Sequence, residues 1–368
     1  MYIALLILLL LPAFVMIRRG LARHGAGLLA GGFFWAAVVG FFFLFLDFWG
    51  EKLWFDALGY TSRFWTVIIA KVFFVFAGAI LSAGMVWLMA GRSTSFAPVF
   101  SLAALFMGGR WGLLHWQELL LYLNRVQTTL QEPIFGRSID FYLFGLPFFD
   151  ALIVFFLQTV FLGTGAAIVV HFFSLGRQGL RLEIREKSSG EKQTQLKKSA
   201  TRLYVNGALC MFAVAAGCYL LRFHLLYSTW GTVSGPGWAD VHIRLPAYWV
   251  LTVLATVAGF GYLFFAAGGF RPEKKPVQVD HQQMPVLVLG SSAIMMVFFW
   301  FILLTVVPGL FQWLRVEPNE ITLEEPYIAN NIKFTRQGFG LHEAEEREFP
   351  AAGSFTGCLL YTSPSPRD

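Results

Sequence analysis

Eight long apolar runs, separated by short polar segments, dominate the pattern along the chain. Met1–Ile17 is charge-free. Gly25–Leu46 is charge-free and ends at Asp47, and Phe64–Gly91 carries only Lys71. Ser93–Gly109 passes into a weaker stretch, Trp111–Leu123. Ala151–Gly176 and Leu203–Leu221 hold no charge. Leu245–Phe270 and His281–Leu314 are long enough to cross a bilayer with tilt. A strand of a membrane barrel alternates over about ten residues, and these runs do not. The pattern predicts an all-α polytopic transmembrane bundle of about eight spans.

Composition agrees. Hydrophobic residues make up 57% of the 368 and charged residues 14%, against about 25% in soluble domains. A soluble fold of this size has no interior large enough for that apolar load. The net charge of +6 needs no nucleic-acid partner, because basic residues set membrane topology. On one side of the predicted spans lie Arg18, Arg19, Arg23, Arg92, eight basic residues from Arg177 to Arg202, and Arg271, Lys274 and Lys275, fifteen in all. The other side holds seven (Lys52, Arg63, Arg110, Arg125, Arg137, Arg222 and Arg244), or nine with Lys71 and Arg315. The first side is therefore expected to be cytoplasmic, with both termini outside, in a cell membrane. Met1–Ile17 reads either as the apolar part of a signal peptide or as an uncleaved anchor. Its basic residues follow the run instead of preceding it, which suits the anchor.

The expected division is an N-terminal anchor and basic turn over 1–24, the bundle over 25–315, the start of an extracytoplasmic region over 316–352, and a non-native tail over 353–368. Glu317–Glu348 turns acidic, and a helix is expected within Leu323–Phe339, opened near Glu324 and Glu325. The last residues, GSFTGCLLYTSPSPRD, match nothing before them and resemble translated adapter sequence. The outward loops carry most of the irregular chain. Glu51–Arg63 suits a short interfacial helix. Pro133, Gly136 and Pro147 are expected to break Arg110–Leu146 into turns. Ser228–Pro246 contains Gly-Pro-Gly. These loops hold Trp54, Phe135, Phe141, Trp230 and Trp238, so they are expected to pack into a cap. There Arg244 or His242 would meet a carboxylate from another loop.

No phosphate loop, HExxH, GxSxG or paired CxxC occurs, so no catalytic or metal site is assigned and no cofactor is expected. Ionisable residues in or beside spans are the natural candidates for function. Asp47, Lys71, Asp150 and His171 would form a polar path if they converged; the plainer reading is interfacial snorkelling or isolated pairs. Asp240, His242 and Arg244 alternate, and in an extended segment they share one face. That face would offer acid–base, metal or phosphate chemistry, or a loop pinned by local bonds. Glu51, Asp56 and Asp140 are further outer carboxylates. The basic segment Arg177–Arg202 reads as a patch for anionic lipid head groups or as a topogenic loop. Gly27 with Gly31, and Gly108 with Gly112, are spaced for close helix packing. Cys210 and Cys218, roughly 12 Å apart along a helix, are too distant for a disulfide and read as fillers.

Four strings occur in one order: LWFDALGYTSRFW (Leu53–Trp65), EPIFGRSIDFYLFGLPF (Glu132–Phe148), ADVHIRLPAY (Ala239–Tyr248) and VEPNEITLEEPYIANNIKFTRQGFGL (Val316–Leu341). Together they resemble the bacterial multi-pass membrane family catalogued as uncharacterised protein family 0182, over about Ala26–Leu341. The resemblance implies seven spans from Gly25 onward, followed by a large extracytoplasmic region. Met1–Ile17 would be an additional span. The family commonly has Asp where Glu132 stands, which preserves the carboxylate. It brings no established activity. Three functions compete: a non-enzymatic envelope protein whose bundle anchors or couples to an outer domain, a permease, and a transferase acting on lipid-linked substrate at the outer face.

Overall fold

The structure, a computed structural model, describes residues 2–22, 25–91, 96–181, 189–231, 234–268 and 280–344. Among the described residues it is helical, with an isolated bridge between Gln131 and Ser138 and no strand. The helices are α1 (Tyr2–Ala22), α2 (Ala26–Ala57), α3 (Thr61–Ala90), α4 (Ala97–Leu123), α5 (Leu146–Arg181), α6 (Ser189–Leu221), α7 (Leu245–Ala266), α8 (Asp280–Phe301), α9 (Val307–Phe311) and α10 (Glu320–Gly338). Among the described residues, eight helical segments are long and apolar enough to cross a membrane. Their large side chains point outward as freely as inward: Phe41 is 71% exposed, Phe106 68% and Ile80 66%. Such surfaces suit hydrocarbon and are costly in water.

The chain divides into two compact units. Residues 1–124 and 154–180 form the first. There α1 packs on α2, where Gly31 and Gly32 leave room for Met16 and Ile17. Gly27 faces open space, so the first GxxxG pair works through Gly31 alone. The second pair works through both glycines. A Cβ on Gly108 would strike the Gly78 carbonyl of α3, and one on Gly112 the Phe74 carbonyl. Backbones this close gain dispersion contact along the whole crossing. A buried hydrogen bond of 3.1 Å joins Ser82 of α3 to Thr159 of α5.

The described residues within Arg125–Ile153 and Arg181–Asp368 form the second unit. Leu251 and Tyr248 of α7 pack with Cys218 of α6 and Leu304. Cys210 and Cys218 are buried free thiols, as expected of fillers.

Among the described residues, four wide π turns interrupt the helices, at Phe141–Gly145, Asp240–Arg244, Ile302–Val306 and Gln312–Val316. Each is followed at the second position by proline: Pro147, Pro246, Pro308 and Pro318. Proline has no N–H to give the carbonyl four residues back, and its ring crowds that carbonyl. The ladder responds by shifting to i→i−5 bonds, as from Leu146 N–H to Phe141 O and from Leu245 N–H to Asp240 O.

Several expectations change accordingly. Pro147 does not make a turn but sits in the helix behind a π turn. The D-V-H-I-R segment is helical, not extended, for the same reason. Glu51–Arg63 is the end of α2 and the start of α3, joined at Leu58–Tyr60 with Gly59 at φ +76°, and not a separate interfacial helix. Arg110 lies within α4 instead of in a loop. The acidic helix opens at Glu320, four residues earlier than Glu324. The tail 353–368, residues 182–188 of the basic segment, and Arg23, Arg92, Arg271, Lys274 and Lys275 lie outside the described residues.

Candidate functional site

Three polar segments of the second unit hold most of the candidates, beginning with the EPIFGR turn. Glu132 is buried, and its Oε1 accepts from Ile134 N–H at 2.5 Å. Oε2 accepts from Phe135 N–H at 2.8 Å and from the Tyr142 hydroxyl at 3.3 Å. Gly136, at φ +64°, closes the turn with its N–H on the Glu132 carbonyl; only glycine adopts that conformation without strain. Asp140 is also buried. The Ser138 hydroxyl, then the Thr128 N–H and the Arg125 guanidinium, hold its carboxyl below the usual carboxylate range, against the opposing effect of burial. Phe135, Phe141 and Tyr142 pack on Phe223 beyond α6. The EPIFGR turn thus packs against the helical turn Arg222–Tyr227, which precedes the Ser228–Pro246 segment.

In the second segment the helical turn places Asp240 and Arg244 four residues apart on one face, with Asp240 Oδ1 2.7 Å from Arg244 Nη1. Arg244 also reaches Ser228 Oγ at 3.4 Å and lies over the Trp230 ring at 4.9 Å. His242 points elsewhere: it stacks on Trp238 at 4.6 Å, and its Nδ1 lies 3.1 Å from the Trp238 carbonyl. The Tyr327 hydroxyl approaches the same nitrogen at 3.4 Å. Arg244 therefore pairs with a carboxylate of its own segment, not of another loop. The reason is the i,i+4 spacing that the helical conformation creates.

The carboxylate that does cross between segments is Glu324 of α10. It is 2% exposed, and its Oε1 accepts from Trp238 N–H at 3.0 Å, 86 residues away in sequence. Trp238 opens the helical run that continues through Asp240–Arg244 into α7. Glu324 thus supplies from a distance the negative charge and acceptor that a helix N-terminus favours. Asn331 of α10 also donates to the Ser234 carbonyl. Beside these bonds is a pocket of about 160 Å³ lined by Glu132, Ile134, Gly235, Pro236, Tyr327 and Asn331.

A second pocket, of about 260 Å³, lies between His224, Ser228, Thr229, Trp230, Arg244 and Tyr248. His224 was not singled out in the sequence. Its Nε2 lies 2.7 Å from Asp150 Oδ2, so Asp150 is half of a pair. The clue was a lone carboxylate beginning an otherwise charge-free run, which needs a partner.

The remaining candidates fall elsewhere. Asp47 is exposed on α2, Lys71 lies over the Trp116 ring at 5.5 Å, and His171 is buried in α5. Glu51 is exposed, and Asp56 is held by Lys52 at 2.5 Å and Thr61 at 2.8 Å. Among the described residues no group of three potential metal ligands converges. The buried carboxylates Glu132, Asp140, Asp240 and Glu324 each have their own donors, an arrangement that fixes backbone.

The family model described as Uncharacterised protein family (UPF0182) matches residues 89–358. Its match ends inside the compositionally distinct stretch from Gly353. Similar proteins include a UPF0182 protein of Synechococcus sp. (strain JA-3-3Ab), 35% identical over 87% of this chain and 37% of its own length. Another, from Synechococcus sp. (strain JA-2-3B'a(2-13)), is 32% identical over 93% of this chain and 40% of its own. A third, from Geobacter sp. (strain M21), is 34% identical over 68% and 25%. The chain spans less than half the length of these relatives. No solved structure matches.

Proposed function

The chain belongs to the uncharacterised protein family UPF0182, and on that premise we propose that it is the membrane-embedded part of a cell-envelope protein. Its helical bundle anchors and orients an extracytoplasmic region that continues from α10. The observation that carries this reading is the bond from Trp238 N–H to buried Glu324. It ties the segment beyond the last apolar run to the start of α7, so a domain attached there inherits a fixed geometry. The Lys+Arg bias along the sequence supports the orientation. The absence of a catalytic motif in the sequence favours anchoring over the transferase reading.

Single cysteines at Ser189 and Ser234 test the orientation. An impermeant thiol reagent on intact cells is expected to label Ser234→Cys and spare Ser189→Cys; the reverse overturns the placement. Coupling is tested separately in the full-length protein by Glu324→Ala. Proteolysis between Glu320 and Gly338 is expected to accelerate, and an unchanged cleavage rate removes the coupling role.

A further inference from the structure

We propose that the 260 Å³ pocket binds a phosphate group, presented either on a lipid or as a free phosphorylated compound. This does not rest on the anchoring role above. The walls are rich in donors. Arg244 contributes a guanidinium and His224 an imidazole, with hydroxyls from Ser228, Thr229 and Tyr248. Ser228 Oγ accepts from Trp230 N–H and Arg244 Nη1, both at 3.4 Å, which leaves its own hydrogen to give. Arg244 uses the same Nη1 for Asp240 and for Ser228, and a guanidinium carries five N–H groups, so it has donor capacity beyond those two bonds.

Both basic side chains are held from behind. Asp240 fixes Arg244 and Asp150 fixes His224, each at 2.7 Å. Oriented donors lose little freedom when a ligand arrives. The two carboxylates balance the two basic groups, so recognition rests on converging donors and not on net charge. A carboxylate ligand has two oxygens to satisfy, whereas free phosphate or a phosphate monoester has three or four, and a phosphodiester adds two ester oxygens to its two charged ones, so a phosphate uses the larger donor set. The volume suits a phosphate and the first atoms of its ester, below the size of a whole drug-like ligand. The pocket also lies where two apolar helical segments end, at Tyr227 and at Asp240, the level at which lipid phosphates sit.

The test uses the full chain in detergent, titrated with inorganic phosphate, and in nanodiscs of a phosphate-free glycolipid with and without phosphatidylglycerol, with thermal unfolding as the readout. Arg244→Gln strands the buried Asp240 and is liable to misfold, so His224→Gln and Thr229→Val carry the test. A saturable rise in unfolding temperature is expected, with each variant binding about tenfold more weakly, the equivalent of one hydrogen bond to a charged group. Protection by phosphatidylglycerol alone identifies a lipid head group, and protection by inorganic phosphate identifies a free compound. Protection by neither, or variants that bind like the parent chain, overturns the proposal.

Discussion

A methyl group placed on Gly237 would sit 3.0 Å from Glu324 Oε1 and 3.1 Å from Oε2. The carboxylate is 2% exposed and already bonded to the next backbone N–H, so it has little room to retreat. Gly237→Ala is expected to lower stability by about 1 kcal/mol, a few degrees in unfolding temperature. The same change in a Glu324→Ala background is expected to cost almost nothing. Equal costs in the two backgrounds, read from a double-mutant cycle in detergent, would contradict the contact.

Glu132→Ala removes the acceptor shared by Ile134 N–H, Phe135 N–H and the Tyr142 hydroxyl. Leaving buried donors unpaired costs about 1–3 kcal/mol each where water cannot reach them. Amide exchange at residues 132–137 is expected to quicken well before global unfolding. Glu132→Asp, which keeps the charge on a shorter arm, should retain part of the protection. Identical exchange in all three proteins rules out the turn as described.

Asp140 gives a dependence on pH. Its carboxyl titrates below the ordinary value of 3.8, chiefly because Ser138 donates to it. A lowered folded-state value means that the contribution is complete above the unfolded value. It is lost as pH falls through the folded one. The stability gap between the parent chain and Asp140→Asn is expected to be widest near neutrality and to close below pH 3.8. A gap that persists to about pH 2 would show that the charge on Asp140 is not its source.

Pro308→Ala isolates the cause of the wide turns. With an N–H restored at position 308, the carbonyl of Leu304 regains its i+4 partner. A structure of the variant is expected to show Val307 N–H on Leu303 O, where the parent chain bonds Val307 N–H to Ile302 O. A retained wide turn would mean that packing, and not proline, sets it.

The spans were legible because length and apolarity are themselves the physical requirement for crossing a bilayer. Gly108 and Gly112 were legible for a similar reason: a four-residue spacing of small residues is a local statement about a helix face. The polar segments were less so. Asp240, His242 and Arg244 were expected to share one face of an extended segment; in the helical turn Asp240 meets Arg244 while His242 stacks on Trp238. The residue before proline favours extended backbone, and the wide-turn alternative depends on apolar flanks that keep the helix going. Glu324 was read as an acidic residue favouring its own helix start. Its bond to Trp238 spans 86 residues, and no local pattern encodes a partner that far away. His224 pairs with Asp150, 74 residues away, and no local pattern marks that pairing either.

An α-helix advances about 100° per residue, so one extra residue in a turn rotates everything beyond it by that angle. The proline-linked turns therefore act as phase shifters. Below Asp240–Arg244, α7 has to present its apolar sides to lipid and to α6. Above it, Trp238 has to face Glu324. A regular helix would let one requirement dictate the other, and the inserted residue sets the two azimuths independently.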